Sequence, residues 1–416
     1  MYSSSDHCRI CGNTNLVELF DLGEQALTGV FPERADMQIA TMPVQVVKCM
    51  GGDCCGLVQQ RYSGAPEEMY GMNYGYRSGL NQSMIKHLQA LATQAVTVAR
   101  PQSGDILLDI GSNDATLLKC YAQGTYTLVG MDPTGVKFKK YYPDSMTLIP
   151  DFFSAQNFEK VFPRKKAKII TAFAMFYDLE DPQAFVDDIA RVLADDGIWM
   201  FEQSYLPLML DANAYDTICH EHLEYYAMRQ IAWLLERAGM FVLDAHETDA
   251  NGGSICIVAA KKTHPMYQGS SPKAEEFLAK EHAQGLDTLE PYQKFWERVL
   301  EQKEALLTLL DTIAKQGKQV FGLGASTKGN VLLQYCAITA KNLPYIAEVN
   351  ADKFGCFTPG TGIPIISQDA ANAMHPDYYL VLPWHFREGI TKGMQPFLQS
   401  RGKLIFPLPE LTVVGA

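Results

Sequence analysis

The chain has 416 residues, of which 47% are hydrophobic, and a formal net charge of −12 at pH 7. That length exceeds one ordinary domain and predicts about two or three. The acidic balance without an extended basic run argues against a nucleic-acid partner, because phosphates require a Lys/Arg footprint. The sequence has no long apolar run and no apolar leader, so we expect a cytoplasmic protein without membrane contact.

Half of the ten cysteines lie within the first 55 residues. Cys8 and Cys11 form a C-x-x-C pair followed by glycine, and Cys49, Cys54 and Cys55 form a second group. In a cytoplasmic chain this clustering indicates metal binding rather than disulfides, and four thiolates suit tetrahedral structural zinc. We predict Cys8, Cys11, Cys49 and Cys55 as ligands, because glycine follows Cys55 as it follows Cys11. Cys54 competes for the fourth position, and free buried cysteines are the alternative.

Residues 70–79 combine three tyrosines with glycine and serine breaks, which predicts a loop. An amphipathic helix is predicted next, over residues 81–99, where apolar side chains recur at helical spacing. A tyrosine-rich loop before a helix is equally consistent with a surface segment and with a lid over an active site.

Residues 105–115 predict a buried strand that breaks at Gly111 into a polar turn and then a helix. A second predicted strand ends at Asp132. This is the α/β nucleotide-binding layout, in which a glycine admits the ligand and a carboxylate binds ribose hydroxyls. The three-glycine dinucleotide fingerprint is absent. A single glycine preceded by an acid, Asp109, resembles the S-adenosylmethionine loop of class I methyltransferases.

Predicted strands and helices continue to alternate as far as residue 262, which favours a Rossmann-like α/β domain. Within it, residues 217–226 follow a predicted strand end and contain two histidines, two carboxylates and two tyrosines. Active residues of open α/β sheets lie at the carboxyl ends of strands, and histidine has the side-chain pKa nearest neutrality. We therefore predict a catalytic loop rather than a polar loop with satisfied hydrogen bonds. A zinc-protease site is excluded, because H-E-x-x-H requires histidine where Glu224 stands.

Residues 265–316 predict a long helix that links two domains. Residues 319–330 then predict another strand, a glycine-rich turn and a helix, with Lys328 adding charge at a helix N-terminus. This turn is not a Walker loop, since the G-K-[ST] order is missing. The C-terminal part thus predicts a second, smaller α/β unit with a nucleotide-like site, and purely structural turns are the alternative. The three predicted domains span residues 1–75, 76–262 and 263–416.

Several stretches are longer and more specific than general α/β motifs. They are Cys8-x-x-Cys11 with Cys55-Gly-Leu-Val-Gln59, Tyr74-Gly-Tyr-Arg-Ser-Gly-Leu-Asn81, Asp109-Ile-Gly-Ser-Asn-Asp114, Phe176-Tyr-Asp-Leu-Glu-Asp-Pro182, His220-Glu-His222, Asn251-Gly-Gly-Ser254 and Pro383-Trp-His-Phe386. With these stretches the chain resembles, over nearly its whole length, the C-methyltransferases that act on nucleotide-linked 4-keto-deoxysugars in branched-sugar biosynthesis.

The resemblance implies an N-terminal zinc-binding domain, a central class I methyltransferase domain that binds S-adenosylmethionine, and a C-terminal Rossmann-like domain that helps to hold the nucleotide sugar. In such enzymes the second histidine of the matching segment, here His222, takes the proton from C3 of the sugar, with Glu221 and Tyr76 close by. Three positions depart from the family: Ala115 replaces an expected glycine, Cys219 a tyrosine of some members and Cys256 an arginine of many.

Further site residues are predicted at strand ends and turns. For the cofactor they are Asp109, Gly111, Asn113, Asp132, Met175 and Phe176, and for the nucleotide sugar Lys328, Asn330, Glu348 and His385. The chemistry agrees with a histidine base, because a C–H beside a ketone loses its proton to a positioned imidazole and leaves an enolate. We expect Glu221 to orient the imidazole or raise its basicity, and Tyr76 to donate to the enolate oxygen.

The predicted function is S-adenosylmethionine-dependent methylation at C3 of a nucleotide-linked 4-keto-6-deoxyhexose, with structural zinc and no catalytic metal. One alternative is a small-molecule O-methyltransferase on the same scaffold, which would deprotonate a hydroxyl group. Another is a degenerate, zinc-containing nucleotide-binding protein. Short sheet edges and one long helix fit a monomer.

Overall fold

The computed structural model describes residues 2–64, 77–269 and 271–415, so the predicted Tyr76 lies outside the described residues. The N-terminal part is a small β unit. Its strands are β1 (Ser3–Ser4), β2 (Leu16–Ala26), β3 (Thr41–Cys49), β4 (Val58–Gln60) and β5 (Tyr62–Ser63). β3 pairs antiparallel with both β2 and β4. The first half of β3 alternates buried and more exposed side chains, as a strand of a one-sided antiparallel sheet does.

The central part is an α/β unit around a seven-stranded sheet. Its helices are α1 (Gln82–Ala99), α2 (Gly135–Phe138), α3 (Ala155–Val161), α4 (Pro182–Val192), α5 (Leu206–Asp211) and α6 (Met228–Arg237). Its strands are β6 (Ile106–Ile110), β7 (Thr127–Met131), β8 (Thr147–Ile149), β9 (Ala167–Phe173), β10 (Leu193–Ser204), β11 (Glu224–Tyr225), β12 (Met240–Thr248) and β13 (Ser254–Lys261). The sheet order is β12-β13-β10-β9-β6-β7-β8, with only β13 antiparallel to its neighbours. This confirms the predicted class I methyltransferase fold.

The parallel strands are buried on both faces, which explains their apolar sequences. All five residues of β6, Ile-Leu-Leu-Asp-Ile, are buried, as expected for a strand covered by helices on both sides. α4 begins where the Asp181 carboxylate accepts the N–H of Ala184 and Pro182 occupies the first turn. Because the strands run parallel, the segments that follow their carboxyl ends meet at one edge of the sheet.

The C-terminal part is a second, smaller α/β unit. Its elements are α7 (Pro272–Ala283), α8 (Glu290–Lys315), β14 (Val320–Leu323), α9 (Thr327–Tyr335), β15 (Ile346–Glu348), β16 (Ile365–Ser367), α10 (Gln368–Ala373), β17 (Tyr378–Val381), α11 (Arg387–Gly393), α12 (Gln395–Gln399), β18 (Lys403–Phe406) and β19 (Thr412–Val414). The sheet order is β16-β15-β14-β17-β18-β19, and every pair except β18–β19 is parallel. The predicted Rossmann-like arrangement is thereby confirmed.

The single long linking helix expected over residues 265–316 is wrong, because two helices occupy that region. α7 is followed by Gly285, which adopts a left-handed φ of +72°. α8 then starts with Pro291 in its first turn. A left-handed glycine ends a helix readily, and proline is accepted at a helix start but not in its interior.

The units are interleaved rather than strictly sequential. β11 belongs to the central segment of the chain, yet it pairs antiparallel with β4 and closes the N-terminal sheet. The N-terminal and central units are therefore not separated in space. Within the described ranges, we find no helix with the length and apolar character needed to span a membrane.

Candidate active site

Four cysteine sulfur atoms meet in the N-terminal unit. The Sγ atoms of Cys8, Cys11, Cys49 and Cys55 all lie within 4.8 Å of one another. Cys8 and Cys55 are 3.3 Å apart, and Cys11 and Cys49 are 3.6 Å apart. Thiolates bound to one zinc ion at about 2.3 Å form a tetrahedron whose sulfur–sulfur edges are about 3.8 Å. The predicted set of four cysteines therefore fits a structural zinc site.

Cys54, the competing residue, points elsewhere. Its Sγ lies 3.4 Å from the carbonyl oxygen of Gly51. The two cysteines are also fixed by α6, since Arg229 donates to the Cys54 carbonyl at 2.7 Å and Gln230 to the Cys55 carbonyl at 2.7 Å. The second cysteine group is thus attached directly to the methyltransferase unit.

The turn after β6 has the backbone geometry of a close-approach loop. Gly111 adopts φ +68°, and a Cβ atom there would lie 3.3 Å from Cγ of Met175. Asn113 and Ala115 are also left-handed, with φ of +48° and +61°. Ala115 accepts this conformation at a cost of about 1 kcal/mol, which explains why glycine is the expected residue there.

Asp132 holds this turn through its carboxylate. Oδ2 accepts the backbone N–H of Asn113 at 2.7 Å, and Oδ1 accepts the N–H and the hydroxyl of Thr134 at 2.7 and 2.6 Å. A carboxylate offers about four lone-pair positions, so Oδ2 retains one for a ribose hydroxyl. The carboxylate and the glycine turn together fit S-adenosylmethionine.

Asp109 is a buried residue of β6, close before the turn in the sequence. Its Oδ1 accepts the hydroxyl of Thr171 at 2.7 Å. Burial, with a smaller contribution from the nearby Asp132 charge, raises the pKa of Asp109 to about 7. The side chain of Asp109 therefore lies in the interior of the sheet, and its predicted role at the cofactor stays a prediction.

Of the two strand-end residues predicted beside the cofactor, only Met175 contacts the glycine. Phe176 is 1% exposed and packs in the aromatic core, with ring centroids 5.1 Å from Tyr226 and 5.4 Å from Trp199. The side chain of Phe176 therefore fits a role in fixing the position of Met175 better than direct contact with the cofactor.

The chain immediately after the tyrosine-rich stretch lies on the cofactor turn. The backbone N–H of Ser78 donates to Oδ1 of Asn113, and that of Gly79 donates to Oδ2 of Asp114, both at 3.1 Å. Tyr76 itself lies outside the described residues, but its neighbours in sequence border the cofactor site.

His222 is held in a defined tautomer. Its Nδ1–H donates to the Thr217 carbonyl at 2.8 Å, which makes Nε2 the basic nitrogen. The imidazole packs on the ring of Tyr177, with centroids 4.2 Å apart. Burial, reinforced by the charge of Lys328, lowers the pKa of His222 to about 3, so the ring is neutral at physiological pH.

The neighbours of His222 face the N-terminal unit. Glu221 Oε2 accepts the hydroxyl of Thr28 at 3.2 Å. Nε2 of His220, a buried residue, donates to the Met42 carbonyl at 3.1 Å. The Thr217 carbonyl thus orients the imidazole of His222. The roles predicted for Glu221 and His220 stay predictions.

Lys328 and His385 bring the C-terminal unit to the turn between β12 and β13. Lys328 Nζ donates to the Asn251 carbonyl at 2.7 Å. Burial and the Lys328 charge lower the pKa of His385 to about 3, the same causes that act on His222. Gly252 permits the close approach, because a Cβ there would lie 3.4 Å from Cβ of His385.

A buried carboxylate joins the same group. Asp216 is 1% exposed, and its Oδ2 accepts the indole N–H of Trp384 at 2.7 Å. Oδ1 has no hydrogen-bond partner among the described residues. Burial raises the pKa of Asp216, while the positive charge of Lys328 opposes that rise.

The other two residues predicted for the nucleotide sugar have backbone partners. Asn330 is fully buried, and its amide donates to the Thr28 carbonyl at 2.7 Å. Glu348, at the end of β15, accepts the backbone N–H of Ala325 at 2.7 Å and that of Asn350 at 2.8 Å. Glu348 therefore holds the glycine-rich turn after β14 as Asp132 holds the turn after β6.

Four residues of this region were missed by sequence reasoning. Thr217 and Asp216 precede the histidines directly, and the available signal was their position at the start of the predicted loop. Tyr177 lies within a quoted family stretch but was given no role. Thr28 had no signal, because it meets Glu221 across 193 positions of the chain.

Three family models match successive parts of the chain. A zinc binding domain model matches residues 8–70, a methyltransferase domain model residues 76–245, and a C-methyltransferase C-terminal domain model residues 249–409. The C-methyltransferase NovU of Streptomyces niveus is 30% identical over 416 residues, which cover 99% of this chain and 97% of NovU. The chain belongs to the C-methyltransferase family.

This C-methyltransferase depends on S-adenosylmethionine and has a zinc-binding N-terminal unit. Membership of this family argues against both alternative functions, the small-molecule O-methyltransferase and the degenerate nucleotide-binding protein. Two solved structures are similar to less than half of the chain. Magnesium protoporphyrin IX methyltransferase of Synechocystis PCC 6803 is 13% identical, with TM-score 0.33, over 42% of this chain and 79% of its own. An O-methyltransferase family protein of Burkholderia thailandensis is 14% identical, with TM-score 0.34, over 44% and 58%. These TM-scores are too low to support an assignment.

The two adjacent cysteines provide a matched test of the zinc site. Cys55→Ser should lose most of the bound zinc, because a ligand is removed, whereas Cys54→Ser should keep about one zinc per chain. Elemental analysis of both purified variants measures this directly, and thermal unfolding should show a lower Tm for Cys55→Ser alone. Zinc loss from Cys54→Ser with retention in Cys55→Ser would contradict the ligand set.

The lowered histidine pKa values predict a pH dependence of stability. Below pH 6.5 the unfolded chain protonates both histidines while the native protein does not, so the free energy of unfolding should fall as pH drops from 6.5 toward 3. His222→Asn and His385→Asn should each reduce this slope by about one proton.

Urea unfolding of the zinc-loaded protein at several pH values between about 5.5 and 7 measures the slope. His375→Asn, at an exposed turn, is the control. Equal slopes in all four proteins would contradict the assigned neutral state of His222 and His385.

Proposed function

We propose that this C-methyltransferase methylates C3 of a nucleotide-linked 4-keto-6-deoxyhexose and that His222 removes the C3 proton. The setting of His222 is the observation that supports this most strongly. Its Nδ1–H donates to the Thr217 carbonyl, so Nε2 is the basic nitrogen. The ring packs on Tyr177, which follows the carboxyl end of β9, where active groups of open α/β sheets lie.

The electrostatics suit the formation of an enolate. A base with its pKa lowered to about 3 is always free to accept a proton, but the transfer from carbon is then uphill unless the product anion is stabilised. In our proposal Lys328 provides that stabilisation, because the positive charge that lowers the pKa of His222 also favours an oxyanion formed beside it. The predicted Tyr76 would add a second hydrogen-bond donor to the same oxygen.

The C-terminal unit supplies the groups proposed to hold the nucleotide sugar. The charge of Lys328 acts on both His222 and His385, and Glu348 orders the glycine-rich turn that would face the nucleotide. We propose that Asn330 fixes the helix that carries Lys328, since its amide is bound to the Thr28 carbonyl. Sugar, nucleotide and base would then meet where the two α/β units join.

The cofactor would be held on the other side of the catalytic loop. We assign this role to Gly111, Asn113, Asp132 and Met175, with Asp109 behind the turn. When bound, S-adenosylmethionine supplies an electrophilic methyl group to the carbon from which the proton was removed. Glu221 remains a proposed catalytic neighbour of His222, held by the Thr28 hydroxyl.

Loss of the base should affect turnover and spare cofactor binding. His222→Asn should lower kcat by about 10²–10⁴-fold, the usual contribution of a general base, because the amide cannot take up the proton. Calorimetric titration should give an unchanged Kd for S-adenosylmethionine. His375→Asn, at an exposed turn, should retain full activity. A kcat within about twofold of the wild type for His222→Asn would refute the assignment.

Proton removal can also be observed apart from methyl transfer. In D₂O, with S-adenosylhomocysteine in place of the methyl donor, the wild-type enzyme should exchange the C3 proton of a dTDP-linked 4-keto-6-deoxyhexose. Mass spectrometry follows the exchange, and His222→Asn and an enzyme-free sample are the controls. GDP- and CDP-linked analogues tested in parallel identify the nucleotide. Methylation without any enzyme-dependent exchange at C3 would contradict a C3 enolate.

A further inference from the structure

The connection between β2 and β3 leaves the zinc-binding unit and runs along the C-terminal unit. We call residues 27–40 the strap. Just before it, Gln334 binds Ala26 twice, accepting its N–H at 2.7 Å and donating to its carbonyl at 3.1 Å. Within it, the Pro32 carbonyl accepts the N–H of Phe357 at 2.8 Å. The first half of the strap is thus fixed at both ends by residues of the C-terminal unit.

Thr28 connects all three units. It is fully buried, and its carbonyl accepts the amide of Asn330 at 2.7 Å. Its hydroxyl donates to Oε2 of Glu221 at 3.2 Å. One residue of the zinc-binding unit therefore contacts both the helix that carries Lys328 and the residue next to His222.

Gly29 lies against the same carboxylate. A Cβ atom at Gly29 would be 2.6 Å from Oε1 of Glu221 and 3.9 Å from Oγ1 of Thr327. The φ angle of Gly29 is not left-handed. The absence of a side chain at this position therefore serves the approach of Glu221 and not the backbone conformation.

The zinc-binding unit holds the catalytic loop at three more points. The backbone N–H of Gln60 donates to the Leu223 carbonyl at 2.8 Å, and its amide donates to the Cys219 carbonyl at 3.3 Å. The Met42 carbonyl on β3 accepts Nε2 of His220 at 3.1 Å. Contacts from this unit therefore occur on both sides of His222 in the sequence.

We propose that the zinc-binding unit positions the catalytic base, with Thr28 and Gly29 as positioning residues that fix the loop through Glu221. The inference rests on the proposed function in that His222 is the base. β3 carries Met42 and ends at the zinc ligand Cys49, so the sheet that holds the loop is itself anchored at the metal site. A displacement of about 1 Å at a reacting group can cost about 10²-fold in rate.

Gly29→Ala tests this through steric contact alone. The methyl group should push Glu221 away and lower kcat by about 10–100-fold, with KM for the nucleotide sugar changed less than about threefold. Zinc content should stay at about one per chain. Gly52→Ala is the matched control in the same unit, because a Cβ there meets no atom within 4 Å, and it should behave as the wild type.

Thr28 offers a second test that keeps the volume of the side chain. Thr28→Val removes the hydroxyl and should lower kcat by about tenfold, whereas Thr28→Ser keeps it and should restore most of the rate. Hydrogen–deuterium exchange of the backbone of residues 217–226 should be faster in Gly29→Ala and Thr28→Val than in the wild type and Gly52→Ala. This second measurement does not require a substrate.

The outcomes separate the two proposals. Zinc-loaded Gly29→Ala and Thr28→Val with wild-type kcat and unchanged exchange of residues 217–226 would overturn the positioning role. A wild-type enzyme that methylates no 4-keto sugar would overturn the proposed function, while the exchange measurement would still decide whether the strap holds the loop.

Discussion

A buried loop must find hydrogen-bond partners for its backbone and its polar side chains, because each unpartnered group costs about 1–3 kcal/mol. Residues 217–226 find many of theirs in a different unit of the chain. Gln60 binds two of their carbonyls, and the Met42 carbonyl accepts His220. The same hydrogen bonds therefore fix residues 217–226 and dock the zinc-binding unit.

A second constraint is electrostatic. Burial lowers the pKa of Lys328, and the neighbouring carboxylate of Asp216, which accepts the Trp384 indole, opposes that fall. The charge of Lys328 acts on two imidazoles, those of His222 and His385. In such surroundings the neutral forms of His222 and His385 are favoured, because burial and a like charge both oppose protonation. The same arrangement favours an anion brought between them. The junction of the two α/β units is thus an electrostatic environment that favours a bound anion.

The sequence allowed prediction of those features that are local. Apolar runs that end in glycine turns indicated both α/β units, and C-x-x-C spacing with a following glycine indicated the zinc cysteines. The partners of polar side chains could not be predicted, because tertiary packing decides them. Thr28 contacts Glu221 from a position 193 residues earlier in the chain, and the Thr217 carbonyl holds the imidazole of His222. Phe176 was expected at the cofactor, but its ring points into the core.

The pairing of β11 with β4 also bears on how the chain folds during synthesis. Gln59 on β4 pairs with Glu224 on β11, 165 residues later, and the N-terminal sheet is complete only after this pairing has formed. Contacts so distant in sequence form slowly, and until then β4 presents an open strand edge of the kind that promotes aggregation. The N-terminal sheet is therefore completed only after the chain as far as β11 has been made. A fragment cut at residue 75 would retain that open edge permanently.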